Sequence, residues 1–132
     1  MCESHASKLA IFILTKRSER NDSRYGTGLL AYEETKFGKL RYSTSTYNGK
    51  LERGSDALND TIRKFIKLIP PVDAIDVYVK EWFFEPPFLF EIGGTKIRLF
   101  KIRKDLKFRN RLLTRLAENA CELEQSDFIE IR

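Results

Sequence analysis

Leu9-Ala10-Ile11-Phe12-Ile13-Leu14 decides the fold class of this chain. The run is continuously apolar and rich in β-branched and aromatic side chains, so it reads as a strand buried on both faces. A strand covered on both faces sits inside a sheet with other elements packed above and below it. The segments downstream supply them. Gly26-Thr27-Gly28-Leu29-Leu30-Ala31-Tyr32 enters a second strand, and Leu40 to Tyr47 forms a third. Asn48-Gly49 reads as a turn. Ser55 is an expected N-cap with Asp56 in the first turn of a helix. Leu58, Ile62, Phe65, Ile66 and Ile69 recur along it at helical spacing, and Pro70-Pro71 ends it. Ala74 to Val79 is a fourth strand. Phe88 to Ile92, Gly93-Gly94 and Thr95 to Ile102 make a hairpin. A last helix is expected from about Leu106 to Leu123, and Phe128 to Ile131 adds a short closing strand.

The order is therefore β-β-β-α-β-(β-β)-α, an α+β (α/β-like) arrangement with a mixed sheet and helices packed on it. A length of 132 residues suits one domain with one core, taken as residues 1–132 with a flexible leader over 1–7. Cys2 and Cys121 are far apart in sequence, which disfavours a disulfide framework and fits a reducing compartment. No stretch approaches a membrane span, so the expected location is intracellular, cytoplasmic or nuclear.

This order resembles the ribonuclease H-like fold over about residues 8–81. In that fold three antiparallel strands precede a helix, and a fourth strand lies parallel to the first. Tyr25 to Tyr32 looks like the glycine-led second strand, and Ser55 to Ile69 looks like the first helix. The family's chemistry implies carboxylates converging on two divalent metals that activate water and stabilise the leaving oxygen. One acid ends the first strand, one lies on the first helix, one ends the fourth strand and one starts a late helix. Here the first strand ends Ile13-Leu14-Thr15-Lys16-Arg17, and the fourth ends Val79-Lys80-Glu81, with Lys80 at the expected carboxylate. Asp56 and Asp105 match the two helix positions. An ammonium among the ligands competes with the metals. The resemblance thus implies a degenerate, non-catalytic member: no catalytic residues, no bound metal and no cofactor.

The charge pattern points to a class of partner. Lys96, Arg98, Lys101, Arg103, Lys104, Lys107, Arg109, Arg111 and Arg115 face a single acid, Asp105, within twenty residues. That excess of eight exceeds the net charge of +5, so the rest of the chain is slightly acidic. A one-sign block repels itself unless an anion lies against it. Lys96 and Arg98 share one face of their strand, and Lys104, Lys107, Arg111 and Arg115 form one stripe of the last helix. The expected role is a non-enzymatic nucleic-acid-associated or assembly module. It holds DNA or RNA phosphates through Lys96, Arg98, Lys101, Arg103, Lys104, Lys107, Arg111 and Arg115. Tyr32, Tyr42 and Tyr47 with Arg41 are candidate base-stacking groups.

Two alternatives stand beside it. One is a subunit of a larger complex that docks an acidic protein partner, anchored by Trp82, Phe83, Phe84 and Phe88 at the Pro86-Pro87 corner. The other is a divergent metal-dependent nuclease using Asp56, Glu81 and Asp105. His5 is the single histidine, and no zinc set or triad can be assembled. Gly26-Thr27-Gly28 lacks the spacing of a phosphate loop and reads as strand glycines.

Overall fold

The computed structural model describes residues 8–19, 23–33, 38–79, 88–101 and 107–131. Seven strands and two helices follow in the order β1 (Lys8–Arg17), β2 (Arg24–Glu33), β3 (Leu40–Lys50), α1 (Gly54–Leu68), β4 (Ala74–Val79), β5 (Phe88–Ile92), β6 (Thr95–Lys101), α2 (Lys107–Leu123) and β7 (Asp127–Glu130). The strands form one mixed sheet in the order β5-β6-β4-β1-β2-β3-β7. β1 pairs antiparallel with β2 and parallel with β4, β4 pairs parallel with β6, and the remaining neighbours are antiparallel.

β1 sits in the middle, which explains its unbroken apolar run. Leu9, Ile11 and Ile13 enter a core beneath α1 with Leu58, Ile62, Phe65, Ile75, Val77, Ile97 and Leu99. Phe12 and Leu14 enter a second core with Leu30, Leu113 and Ala117 of α2. Every side chain of a strand covered on both faces must be apolar, whichever way it points. α2 packs mainly on β2, β1 and β3.

The two glycines of Gly26-Thr27-Gly28 set how closely α2 approaches. A Cβ on Gly28 would lie 2.4 Å from the Leu113 carbonyl oxygen, and one on Gly26 would lie 2.4 Å from that of Ala117. The helix backbone therefore rests directly on the strand, at a separation only hydrogen allows.

Two local expectations are corrected. Asn48-Gly49 is not a turn. β3 runs on to Lys50, and Asn48 is the extra residue where the register jumps from Tyr25↔Gly49 to Gly26↔Tyr47. The left-handed Gly49 (φ 80) that signals a hairpin turn serves equally in a bulge. Helix α1 starts two residues earlier than the Ser55 cap implied. Arg53 stands at the N-cap with extended backbone and no side-chain cap bond. Asp56 in the first turn and Lys67 in the last still suit the helix dipole.

Candidate nucleic-acid interface

The sheet end beside α1, where β1 finishes, is filled by hydroxyls and an amide. The Thr15 and Thr27 hydroxyls are 3.0 Å apart, and Thr27 donates to Asn48 Oδ1 at 2.7 Å. The bulge turns Asn48 Nδ2 toward α1, within 3.2 Å of the Ala57 carbonyl and 2.9 Å of both Asp60 Oδ2 and Thr61 Oγ1. Asp60 also pairs with Lys64 at 2.9 Å. Asp56 lies in the first turn of α1, with Oδ1 3.7 Å from Arg53. Among the described residues no three or more His, Cys, Asp or Glu side chains gather as a metal site. Lys80, Glu81 and Asp105 lie outside the described residues.

The basic residues are distributed over two elements on the α2 side of the sheet. β6 alternates, so Ile97 and Leu99 are buried while Lys96 and Arg98 are exposed on the other face. Arg98 does not stand alone. Its Nε donates to Asp76 Oδ1 at 2.9 Å and its Nη2 to Oδ2 at 3.1 Å. Lys8 reaches the same Oδ2 at 3.0 Å. Asp76, on β4, is only 4% exposed, so two cations answer one buried carboxylate and a net positive charge remains. The Arg98 guanidinium carbon also lies 5.4 Å from the Phe100 ring centroid.

On α2, Leu113, Ala117, Ala120 and Cys121 are buried, and Arg111 and Arg115 are exposed. Neither arginine pairs with an acid among the described residues. Two acids of the α2 segment are engaged by other cations, Glu118 by Lys16 at 3.2 Å and Glu124 by Arg24. Desolvation works against the charged Arg24, yet Glu124 outweighs it by charge and hydrogen bond and holds the guanidinium above its ordinary value. Glu118 faces β1, and Arg111 stands seven residues before it, on the same side of the helix. Arg111 therefore shares a stripe of α2 with Glu118. Lys101 ends β6 and Lys107 begins α2. Arg103 and Lys104 lie outside the described residues.

The charges of α2 run against its own dipole. Its first turn holds Lys107 and Arg109 with no acid, and its last turn holds no base. Helices are stabilised by the opposite arrangement, which α1 shows.

The aromatic groups differ from expectation. Tyr42 is buried against Phe65 and Phe128 beneath α1 and has no access to a base. Tyr47 is half-buried, and its backbone N–H donates to Ser126 Oγ at 2.9 Å. Arg41 pairs with Glu33, whose hydrogen bond raises the guanidinium above its ordinary value. Tyr32 lies on the α2-side face. There it meets Phe12 edge-on at 5.7 Å. Phe12 stacks on Tyr78 at 5.1 Å, and Tyr78 stacks on Phe100 at 5.4 Å. The row crosses β2, β1, β4 and β6. Its signal was present in the alternation, because Tyr78 is out of phase with Ile75, Val77 and Val79, and Phe100 is in phase with Lys96 and Arg98.

Trp82, Phe83 and Phe84 lie outside the described residues, and Phe88 opens β5. No helix among the described residues is long and apolar enough to cross a membrane.

No protein-family model and no curated protein matches the chain. Solved structures do. RNase H1 from the halophilic archaeon Halobacterium salinarum NRC-1 superposes with a TM-score of 0.58 at 10% identity, over 87% of this chain and 98% of that one. LC11-RNase H1, isolated from compost by a metagenomic approach, superposes with a TM-score of 0.54 at 12% identity, over 89% and 98%. Coverage on that scale reaches beyond residues 8–81. The chain has an RNase H-like fold, in a version whose sequence has diverged far from both.

Proposed function

We propose that this chain is a nucleic-acid-associated module that holds phosphate backbone by charge and carries out no cleavage itself. One observation supports the reading: Lys96 and Arg98 of β6 and Arg111 and Arg115 of α2 are all exposed. Lys96 and Arg98 stand on β6, and Arg111 stands on the β1-facing side of α2, followed one turn later by Arg115. In sequence, Lys101 closes β6, Lys107 opens α2, and Arg103 and Lys104 fall between them. A helix that begins with bases and carries its acids late is stabilised when an anion lies near its start. Both superposed structures are of RNase H1, which fits a nucleic-acid partner. Without base-edge contacts, affinity on such a surface comes from phosphate neutralisation and is largely independent of sequence.

The non-catalytic half of the proposal leans on Ile13 and Thr15 at the end of β1, where the fold's chemistry calls for an acid. Ile13 is fully buried beneath α1, and the Thr15 hydroxyl belongs to the Asn48 network.

Salt titration of binding to labelled single-stranded and duplex oligonucleotides tests the reading. The logarithm of the association constant is expected to fall linearly with the logarithm of salt, by roughly 0.7 to 0.9 per phosphate neutralised. Absence of retention at low salt, or Mg²⁺-dependent cleavage that disappears in Asp56→Asn, overturns it.

A second reading, a subunit that docks a protein, is favoured by a different surface. Leu112 and Leu123 of α2 and Ile129 of β7 are exposed, and the latter two border a groove of about 120 Å³ between α2 and β3–β7. Protein binding there is expected to be insensitive to salt and to weaken in Leu123→Ser.

A further inference from the structure

We infer that the free edge of β7 takes an extended basic peptide as an eighth strand of the sheet. This rests on the protein-docking reading above, not on the phosphate-holding one, and narrows it to one edge and one class of partner.

Three observations converge. The first is the edge. β7 is the last strand of the sheet, and its register with β3 runs without a bulge. The Ile131 N–H donates to the Arg41 carbonyl at 2.8 Å, so Ile129 and Asp127 also turn their backbone groups toward β3. Phe128 and Glu130 turn theirs outward, where none has a partner among the described residues. β7 carries no proline or lysine to deter a further strand. The second is apolar surface on both sides of that edge. On the α2 side Leu123 is 64% exposed and Ile129 is 52% exposed, beside the groove of about 120 Å³. On the α1 side Leu68 is 56% exposed and joins Phe65 and Phe128 around a groove of about 230 Å³. The side chains of an added strand alternate between the two grooves.

The third is charge, and it selects the peptide. Residues 116–131 hold five acids, Glu118, Glu122, Glu124, Asp127 and Glu130, and no base. Asp127 and Glu130, on the edge strand itself, form no ion pair among the described residues. Arg41 lies near Glu130 but is paired with Glu33, and Lys64, which lines the α1-side groove, is held by Asp60 at 2.9 Å. Asp127 and Ile129 border the α2-side groove, while Phe128 and, by alternation, Glu130 lie on the α1 side. Facing residues 127–130, an added strand therefore reads basic, apolar, apolar, basic in either direction. A second copy of this edge would set the same acids against themselves, which disfavours self-pairing. Ladder and apolar contacts supply the affinity, and the two exposed charge pairs choose the sequence.

The experiment measures fluorescence anisotropy with labelled, serine-flanked peptides carrying a Lys-Val-Ile-Arg or a Glu-Val-Ile-Glu core, together with hydrogen exchange of the backbone amides. The native chain is expected to bind the basic core roughly ten-fold tighter than the acidic one. The basic peptide is expected to slow exchange of the Phe128 and Glu130 amides. Glu130→Pro removes an outward N–H and leaves the β3–β7 hydrogen bonds in place, so it is expected to abolish binding. Glu130→Lys keeps the backbone and reverses one edge charge. It is expected to cancel the preference for the basic core, and it decides the matter should Glu130→Pro fail the circular-dichroism check for folding. Equal affinity of the native chain for the two peptides, binding of neither, or a preference unaltered by Glu130→Lys overturns the inference. Binding that survives in folded Glu130→Pro but is lost in Leu123→Ser also overturns it and leaves the protein-docking reading intact. Binding unchanged in both of those variants overturns the two together.

Discussion

Arg98 grips both carboxylate oxygens of Asp76 across neighbouring parallel strands, with donor–acceptor distances of 2.9 and 3.1 Å. This ties a surface cation to an almost fully buried acid, and Lys8 completes the triad from β1. Removing the acid separates stability from binding. Asp76→Ala deletes three charge-assisted contacts but strands no deeply buried charge, since Lys8 and Arg98 reach solvent. The expected loss is about 1–3 kcal/mol in urea unfolding. The same substitution adds one net positive charge to the proposed interface. Nucleic-acid affinity at low salt is expected to rise while stability falls.

Gly28 tests the seating of α2. Its missing side chain admits the Leu113 carbonyl, a backbone atom that cannot rotate away. Gly28→Ala is expected to push the helix off β2 and to cost roughly 1–3 kcal/mol or more in denaturant unfolding. An unchanged unfolding midpoint would mean that the helix does not rest on this strand.

Lys107 tests whether the first turn of α2 gives up stability for a charged partner. An acid at this position complements the helix dipole, so Lys107→Glu is expected to gain about 0.3–1 kcal/mol in thermal or denaturant unfolding. The same variant is expected to weaken oligonucleotide binding. Opposite signs in the two measurements mark a residue kept for its partner. Equal signs mark one kept for the fold.

Much of the frame was legible because burial dictates pattern. The unbroken apolar run from Leu9 to Leu14 required cover on both faces, and the two cores beneath α1 and α2 provide it. Pro70-Pro71 after Ile69 and Gly93-Gly94 between β5 and β6 marked ends that the structure keeps. Asn48-Gly49 misled because a left-handed glycine is required by hairpin turns and by bulges alike. Only the register with β2 distinguishes them. Gly26 and Gly28 were recognised as strand glycines, but their closeness to a helix ninety residues later is a tertiary fact.

The site was harder to read than the frame. The cations were visible as a block, yet the Asp76 partner of Arg98 lies twenty-two residues away and appears only once β4 and β6 are paired. Tyr42 was a plausible stacking group by residue type, but its position on β3 turns it beneath α1, and Phe65 and Phe128 cover it. The aromatic row on the α2 side joins Phe12, Tyr78 and Phe100 from three separate strands. Alternation assigned each to a face, and only strand order brought them together.

The most direct measurement is the salt dependence of oligonucleotide binding in Lys96→Glu/Arg111→Glu, which reverses one exposed cation on β6 and one on α2. The account predicts a folded protein with sharply weaker binding and a log–log salt slope shallower by roughly one to two units. Affinity and slope equal to those of the native chain would contradict it.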